Sequence, residues 1–489
     1  MTRICIVTPD IIGPIRNGGI GTACFHLAKY LSDSLGHEVS LLFTGPVEIG
    51  TAAGWREHYH TAHGIDFYSL NDLDPESDLP CHNGHWFITR SRRIHEWLSR
   101  QRFDQVHFQE WQANGFIAVQ AKRCGLAHDA TLLTCTLHSS TEWINEGGRL
   151  FVTAPHQETL LKYAERYAAR HADITITPSQ HMADWCQARG WQLRDPQVIP
   201  YLFETDAAAP ASTTSTVHEL CFFGRLETRK GLEIYTAALE KLSAADPDRV
   251  LPTLTFLGKE GTVSEGPAKA FLRRFATQGQ FTVKLIDNLA SAEAIAYLQS
   301  RPGCVAVLPS LLDNLPYTVI ECLQHGIRFI ASDVGGIPEM VAGRSHLFEP
   351  TANALAVKLD EIIANGLGPV PSRYARDRAR EKWSEITRRR PVAPPPRSVT
   401  PADVTICIAH YNYGRYLPDL LDSLERQTVQ DFAVVVVDDG STDPASKAAF
   451  WQLRDKHAAN SRWTFVEKPN GGIGETRNHA ASLASTDYL

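Results

Sequence analysis

The stretch "LPSLLDNLPYTVIECLQHG", Leu308–Gly326, decides how this chain is read. It closes the apolar run "CVAVLPS", passes through a loop holding Asp313, Asn314, Leu315 and Pro316, and enters a short helical pattern. A buried strand that breaks into a polar loop and then a helix is the repeating unit of a parallel α/β sheet. Pro316 suits the first turn of that helix, where a missing N–H costs nothing. The amides of Tyr317 and Thr318 then have no partner within the helix and can face an anion. Glu321, about a turn further on, is spaced to accept hydrogen bonds from two neighbouring hydroxyls, as on a ribose. Asp313 falls on the other side of the anion site, near an attached sugar. The same spacing also fits a solvated acid paired with His325 at (i, i+4).

Working outward, "FFGRLETRKG" places Arg225 and Lys230 around another strand-to-helix loop. Two cations and a helix N-terminus aimed at one spot suit a diphosphate, each charge-assisted bond contributing about 1.5–3 kcal/mol where desolvated. A solvated basic turn is the plainer alternative. Near the start, "RNGGIGTACFHLAKYL" sets Gly18, Gly19 and Gly21 between the strand "RICIVTPD" and its helix, where backbone can approach a ligand closely. The pattern is not GxGxxG, and "EVSLLFTG" ends without the acid that binds a dinucleotide ribose, which argues against a dehydrogenase. His138 follows the strand "TLLTCTL", again at a carboxyl end; a structural histidine reads the same way, as do His107 and Glu110 in "VHFQEWQ".

The chain of 489 residues, 43% hydrophobic and 21% charged with net charge −7, has the length of several domains and the composition of a globular protein. That weak acidity argues against nucleic acid as the main partner. The ten cysteines form no CxxC or zinc spacing, which fits a reducing cytoplasm. No stretch has the length of a membrane span, and "MTRICIVTPD" is too short an apolar run for a signal peptide. Composition leaves peripheral membrane contact open.

Strands and helices alternate in three series. Residues 1–203 read as one α/β domain and 204–371 as a second, joined by the small-residue segment "QVIPYLFETDAAAPASTTSTV". A charged helix over 372–387, a proline-rich linker over 388–403 and a short third α/β series over 404–489 follow.

Together, the Gly-rich first loop, "FFGRLETRKG" and "PSLLDNLPYTVIECLQHG…FIASDVGGIPEMV" resemble the retaining nucleotide-sugar glycosyltransferases of family 4 over residues 1–387. The resemblance implies the GT-B fold, two Rossmann-like sheets facing a cleft. It gives Glu321 to the nucleotide ribose and Arg225 and Lys230 to the diphosphate. Asp313, Asn314, Leu315, Tyr317 and Thr318 go to the donor sugar, Gly18 and Gly19 to a loop over the phosphates. His138 matches the histidine beside the transferred sugar. Asp313 departs from the commoner glutamate and has one methylene less reach. The helix at 372–387 resembles one that crosses back to the first domain.

Residues 404–489 resemble the start of an inverting family 2 glycosyltransferase of GT-A fold, through "AHYNYGRYLPDLLDSLERQT", "VVVVDDGSTD" and "NGGIGETRNHA". By that resemblance Asp438 and Asp439 contact base and ribose. The family's metal motif and base come later than Leu489, so the expectation is an incomplete module of a longer bifunctional protein.

The expected activity is transfer of a sugar from a nucleoside diphosphate sugar to an acceptor hydroxyl with retained configuration, in cell-surface polysaccharide or glycoconjugate synthesis. The GT-B module is expected to need no metal; a divalent ion is expected only in a complete GT-A module. Glycan, lipid-linked and protein acceptors all fit. Two readings compete: a GT-B sugar-nucleotide epimerase, and a nucleotide-sugar-binding scaffold without turnover.

Overall fold

The computed structural model describes residues 1–73, 84–150, 154–203, 216–248, 250–279, 281–368, 370, 372–374, 376–391 and 404–489. Most of the small-residue hinge (204–215) and most of the proline-rich linker (392–403) lie outside them. The chain divides into two compact units, Met1–Ala393 and Pro394–Leu489.

The first unit holds two parallel sheets. One is built from β1 (Arg3–Thr8), β2 (Glu38–Phe43), β3 (Asp66–Ser69), β4 (Gln105–Gln109), β5 (Leu132–Thr136), β6 (Ile174–Thr177) and β7 (Gln197–Val198), in the order β3-β2-β1-β4-β5-β6-β7. The other uses β8 (Glu219–Phe223), β9 (Thr253–Leu257), β12 (Val283–Ile286), β13 (Cys304–Leu308), β14 (Phe329–Ser332) and β15 (Leu347–Phe348), in the order β12-β9-β8-β13-β14-β15. Between β9 and β12 in sequence, β10 (Thr262–Val263) and β11 (Gly266–Pro267) form a small antiparallel hairpin. The central strands are apolar on both faces because helices cover both: Ile4, Cys5, Ile6 and Val7 of β1 are fully buried, as are Val305, Ala306 and Val307 of β13.

The two strand orders share one logic. Each sheet grows outward from its first strand in one direction and then resumes on that strand's other side. The crevice for a ligand therefore opens beyond the carboxyl ends of β1 and β4 in the first lobe, and of β8 and β13 in the second.

Helix Arg376–Arg388 packs on the first sheet, adding Ala379, Trp383 and Ile386 to that lobe's core. Buried Gln105 donates to the Ile386 and Thr387 carbonyls at 3.0 and 3.1 Å. Its charged composition conceals one apolar stripe, and that stripe fixes where it docks.

The second unit has three parallel strands, β16 (Thr405–His410), β17 (Ala433–Asp438) and β18 (Trp463–Glu467), in that order. Leu421, Val434, Val436 and Phe450 centre its core. Among the described residues, no helix of either unit is long and apolar enough to cross a membrane.

Candidate active site

The loops after β8 and β13 meet at the second lobe's crevice. Gly231 makes that meeting possible: at φ +79° it lies so close to the Pro309 carbonyl that an added Cβ would sit 1.7 Å from its oxygen. A chain of charges runs across the contact. Arg225 Nε lies 3.5 Å from Glu227, and Arg229 bonds the other oxygen of Glu227 at 2.8 Å. Arg229 also lies 3.7 Å from Asp313, and Lys230 Nζ donates to Asp313 Oδ2. The Lys230 side chain is only 15% exposed, so its ammonium is held in place, whereas Arg225, at 59%, is free to adapt to a ligand.

Asp313, expected from the sequence beside the donor sugar, is paired within the protein. Its carboxylate accepts from Lys230 and from Ser310 Oγ at 3.0 Å. Burial pushes this acid up, but Lys230 and Arg229 outweigh burial and hold it below the usual carboxylate range. Asn314 is engaged as well, and across the cleft. Its Nδ2 donates to the carbonyls of His138 and Leu137 at 2.8 and 3.3 Å, and its Oδ1 accepts from Ser179 Oγ at 2.5 Å. Leu315 points into the core of the second lobe. Tyr317 opens helix Tyr317–Gln324 directly behind Pro316, with Thr318 beside it in the first turn.

Glu321, a turn further along, is partly buried and accepts one hydrogen bond, from Ser291 Oγ at 2.8 Å. Burial raises its pKa to about 7, with the serine bond opposing. This is an under-satisfied carboxyl, and hydroxyl donors would favour its ionised form.

In the first lobe, Gly18 and Gly21 give their amides to Asp10 at 2.8 and 3.0 Å, so a buried carboxylate seats the glycine loop on the start of helix Gly19–Lys29. A Cβ added at Gly21 would come within 2.8 Å of that carboxylate. Gly19 faces the other lobe, with Tyr317 next to its Cα. Lys259, at the end of β9, donates to the Arg16 and Asn17 carbonyls at 2.5 and 3.0 Å, fastening the loop to the second lobe.

His138 is buried beyond the end of β5, and both its ring nitrogens are bonded: Nδ1 to Tyr201 Oη and Nε2 to Gln109 Oε1, each at 2.7 Å. Burial pushes its pKa down to about 3. Glu110, fully buried at the end of β4, accepts the Ser139 amide at 2.5 Å, and burial raises its pKa to about 8. Glu165, also buried, is raised to about 7 and accepts the Thr141 and Gln112 amides at 2.8 and 3.0 Å. His107 lies within the sheet, bonded to Thr134 and Gln105 and pushed down by burial to about 4, and has no place in the crevice.

The structure thus brings Arg225, Lys230, Asp313 and Asn314 together, links Tyr317 to Gly19, and joins His138 to Asn314. Glu321 stands one helical turn from Tyr317. Arg229, Asp10, Lys259, Gln109 and Tyr201 were not singled out in the sequence. Arg229 stood inside a quoted motif, and Asp10 closes the first strand segment. Gln109 and Tyr201 carry no local signal.

In the second unit, Asp438 and Asp439 end β17. Asp438 accepts the Ser441 amide at 3.0 Å; Asp439 accepts the Gly471 and Gly472 amides at 2.9 Å and Lys468 Nζ at 2.7 Å. Lys468 and those amides hold Asp439 well below the usual range. Both acids brace neighbouring loops at a strand's carboxyl end. Among the described residues of the chain, no cluster of three or more His, Cys, Asp or Glu has metal-binding geometry.

Two Rossmann-ordered sheets whose crevices face one another define the GT-B architecture. The family comparisons agree. Residues 18–201 match the glycosyl transferase 4-like domain, residues 217–365 match glycosyl transferases group 1, and residues 405–489 match glycosyl transferase family 2. The chain belongs to the glycosyltransferases: a GT-B module of family 4 type followed by a family 2 segment.

Among curated relatives, the D-inositol 3-phosphate glycosyltransferase of Jonesia denitrificans is 30% identical over 127 residues, 25% of this chain and 28% of that protein. The chondroitin synthase of Pasteurella multocida is 36% identical over 86 residues, 18% of this chain. The chain spans only 8% of that synthase's length. Two solved structures share the fold: sucrose-phosphate synthase from Thermosynechococcus elongatus (TM-score 0.55, 19% identity, 79% of this chain and 95% of that one) and TarM (TM-score 0.55, 10% identity, 80% and 99%).

Proposed function

We propose that the GT-B module transfers a sugar from a nucleoside diphosphate sugar to an acceptor hydroxyl with retention of configuration. The observation that carries this reading is the contact of the β8 and β13 loops, where Arg225, Arg229 and Lys230 gather beside a helix N-terminus. Negative charge develops on the leaving diphosphate; Arg229 and Lys230, held by their ion pairs, stabilise it without reorganising, and the more exposed Arg225 adapts to it. Glu321 takes the ribose hydroxyls, which draw its carboxyl into the ionised form. Asp313 acts by keeping Lys230 aimed, and its backbone neighbours serve the sugar.

His138, neutral and fixed, lines the sugar's other side. The leaving phosphate takes the acceptor proton, as the family resemblance implies. Closure of the lobes through Asn314 keeps water from the activated sugar. The acceptor, a glycan, a lipid-linked glycan or a protein, enters from the first lobe, and the setting is the cytoplasm or the inner face of a membrane. Membership of a transferase family favours transfer over isomerisation of the donor or binding without turnover.

A panel of nucleoside diphosphate sugars tests this by release of nucleoside diphosphate in the presence of acceptor. The anomeric proton coupling of the product then reads the stereochemistry. Donor isomerised without transfer, or bound tightly without release, would overturn the proposal.

A further inference from the structure

The side chain of Gln109, at the end of β4, fixes the protons along a buried chain. Its amide nitrogen faces the carbonyls of Val7 and His107 at 3.4 and 3.5 Å, which turns Oε1 toward His138 Nε2. A carbonyl oxygen only accepts, so Nε2 carries the hydrogen. The imidazole is buried and neutral, so Nδ1 presents a lone pair, and the Tyr201 hydroxyl 2.7 Å away must donate to it.

Tyr201 is itself held from both lobes. Its ring lies nearly parallel to that of His138, with centroids 5.4 Å apart, and stacks on that of Tyr317, at 5.2 Å and 12°. Tyr317 lies on the helix that bears Glu321, and its hydroxyl donates to the Leu202 carbonyl at 3.2 Å. Tyr374 donates to the carbonyl of Tyr201 at 2.5 Å. Tyr201 follows β7 at the exit from the first lobe, so one ring touches the donor helix and the buried histidine together.

We infer that Tyr201 is a positioning residue: Gln109 fixes the hydrogen on His138 Nε2, and Tyr201, donating to Nδ1, sets the ring plane of that imidazole while the lobes are closed. The inference rests on the reading of His138 as a neighbour of the transferred sugar. A neutral imidazole with both nitrogens bonded is no general base. It serves as a fixed polar wall, and its backbone carbonyl accepts from Asn314.

The test is imidazole nitrogen NMR on the full chain with ¹⁵N-labelled histidine, His138 being assigned by its loss in His138→Gln. The expected wild-type signal is that of the Nε2–H tautomer. Tyr201→Phe keeps the stacked ring but removes the donor. It is expected to shift the Nδ1 resonance toward that of an unbonded nitrogen and to lower kcat about tenfold, while donor KM moves by less than about twofold. A wild-type Nδ1–H tautomer, or a Tyr201→Phe spectrum or kcat unchanged at this site, would overturn the inference. The wild-type tautomer decides the first point even where the variant fails to fold. It is read without donor, so a protein that transfers no sugar would sink the transferase reading separately.

Discussion

The two lobes of the first unit have the same strand order and opposite chemistry at its turning point. Beyond β8 and β13 stand three cations and two acids, linked side by side. Beyond β1, β4 and β5 stand glycine amides seated on a buried acid, a neutral histidine and two carboxyls whose pKa values burial raises. One topology supplies the location, and the side chains at the strand ends divide the labour. The charged lobe suits a charged leaving group; the neutral lobe suits a hydroxyl acceptor that needs no counter-ion.

Replacing Lys230 by Ala should strike this contrast hardest. We expect kcat to fall about a hundredfold, the scale for losing one charge-stabilising donor. Thermal stability should fall too, because Asp313 would stay buried with only part of its compensation. Unchanged kinetics would make the charged lobe a structural ion-pair network. Asn314→Ala tests whether the lobes act only when joined: kcat/KM is expected to drop about tenfold, from lost buried hydrogen bonds across the cleft. If the drop tracked Tm instead, measured by running the assay well below melting, the latch would be merely structural.

Glu321→Gln addresses the nucleoside end. In the free protein the carboxyl has its pKa raised to about 7, whereas ribose hydroxyls require it ionised. Donor affinity should therefore climb as pH rises through about 7. The variant should bind about tenfold more weakly at pH 8, with that pH dependence gone, by calorimetric titration.

The smallest effect belongs to the neutral lobe. Its Glu110 and Glu165 are raised from 4.5 to about 8 and 7, as Glu321 in the charged lobe is to about 7. From pH 4.5 upward the unfolded chain releases these protons before the folded chain does, so stability falls as pH rises toward 8. Glu110→Gln, which imitates the protonated acid, should flatten the upper part of a Tm-versus-pH curve; an unaltered slope would show that Glu110 is ionised in the fold.

How much of this was legible follows the same division. Pro316, Asp313 and Glu321 could be placed because a proline fixes a helix start and the helical period fixes what lies a turn away. The parallel strands themselves follow from apolar runs that alternate with helical patterns. The partners of those residues were not legible. Nothing in the sequence shows that Lys230, on another strand's loop, pairs with Asp313. The partners of Asn314, the Leu137 and His138 carbonyls, are backbone groups that no side-chain pattern reports. Tyr201 sits in an irregular segment without period, and its meaning depends on three rings brought together by folding.

The chain leaves the first lobe beyond Phe203 and comes back past Tyr374 to helix Arg376–Arg388, and the Tyr374 hydroxyl on the Tyr201 carbonyl ties the outgoing and returning passes to each other. Two straps fastened at one point behave as a pivot: the halves can swing apart but have little freedom to slide. That fastening stands beside the contacts that hold the lobes in register, Gly19 against Tyr317 and Asn314 against the His138 carbonyl. Reproducible alignment is therefore set at a pivot whose own residue, Tyr201, also touches His138.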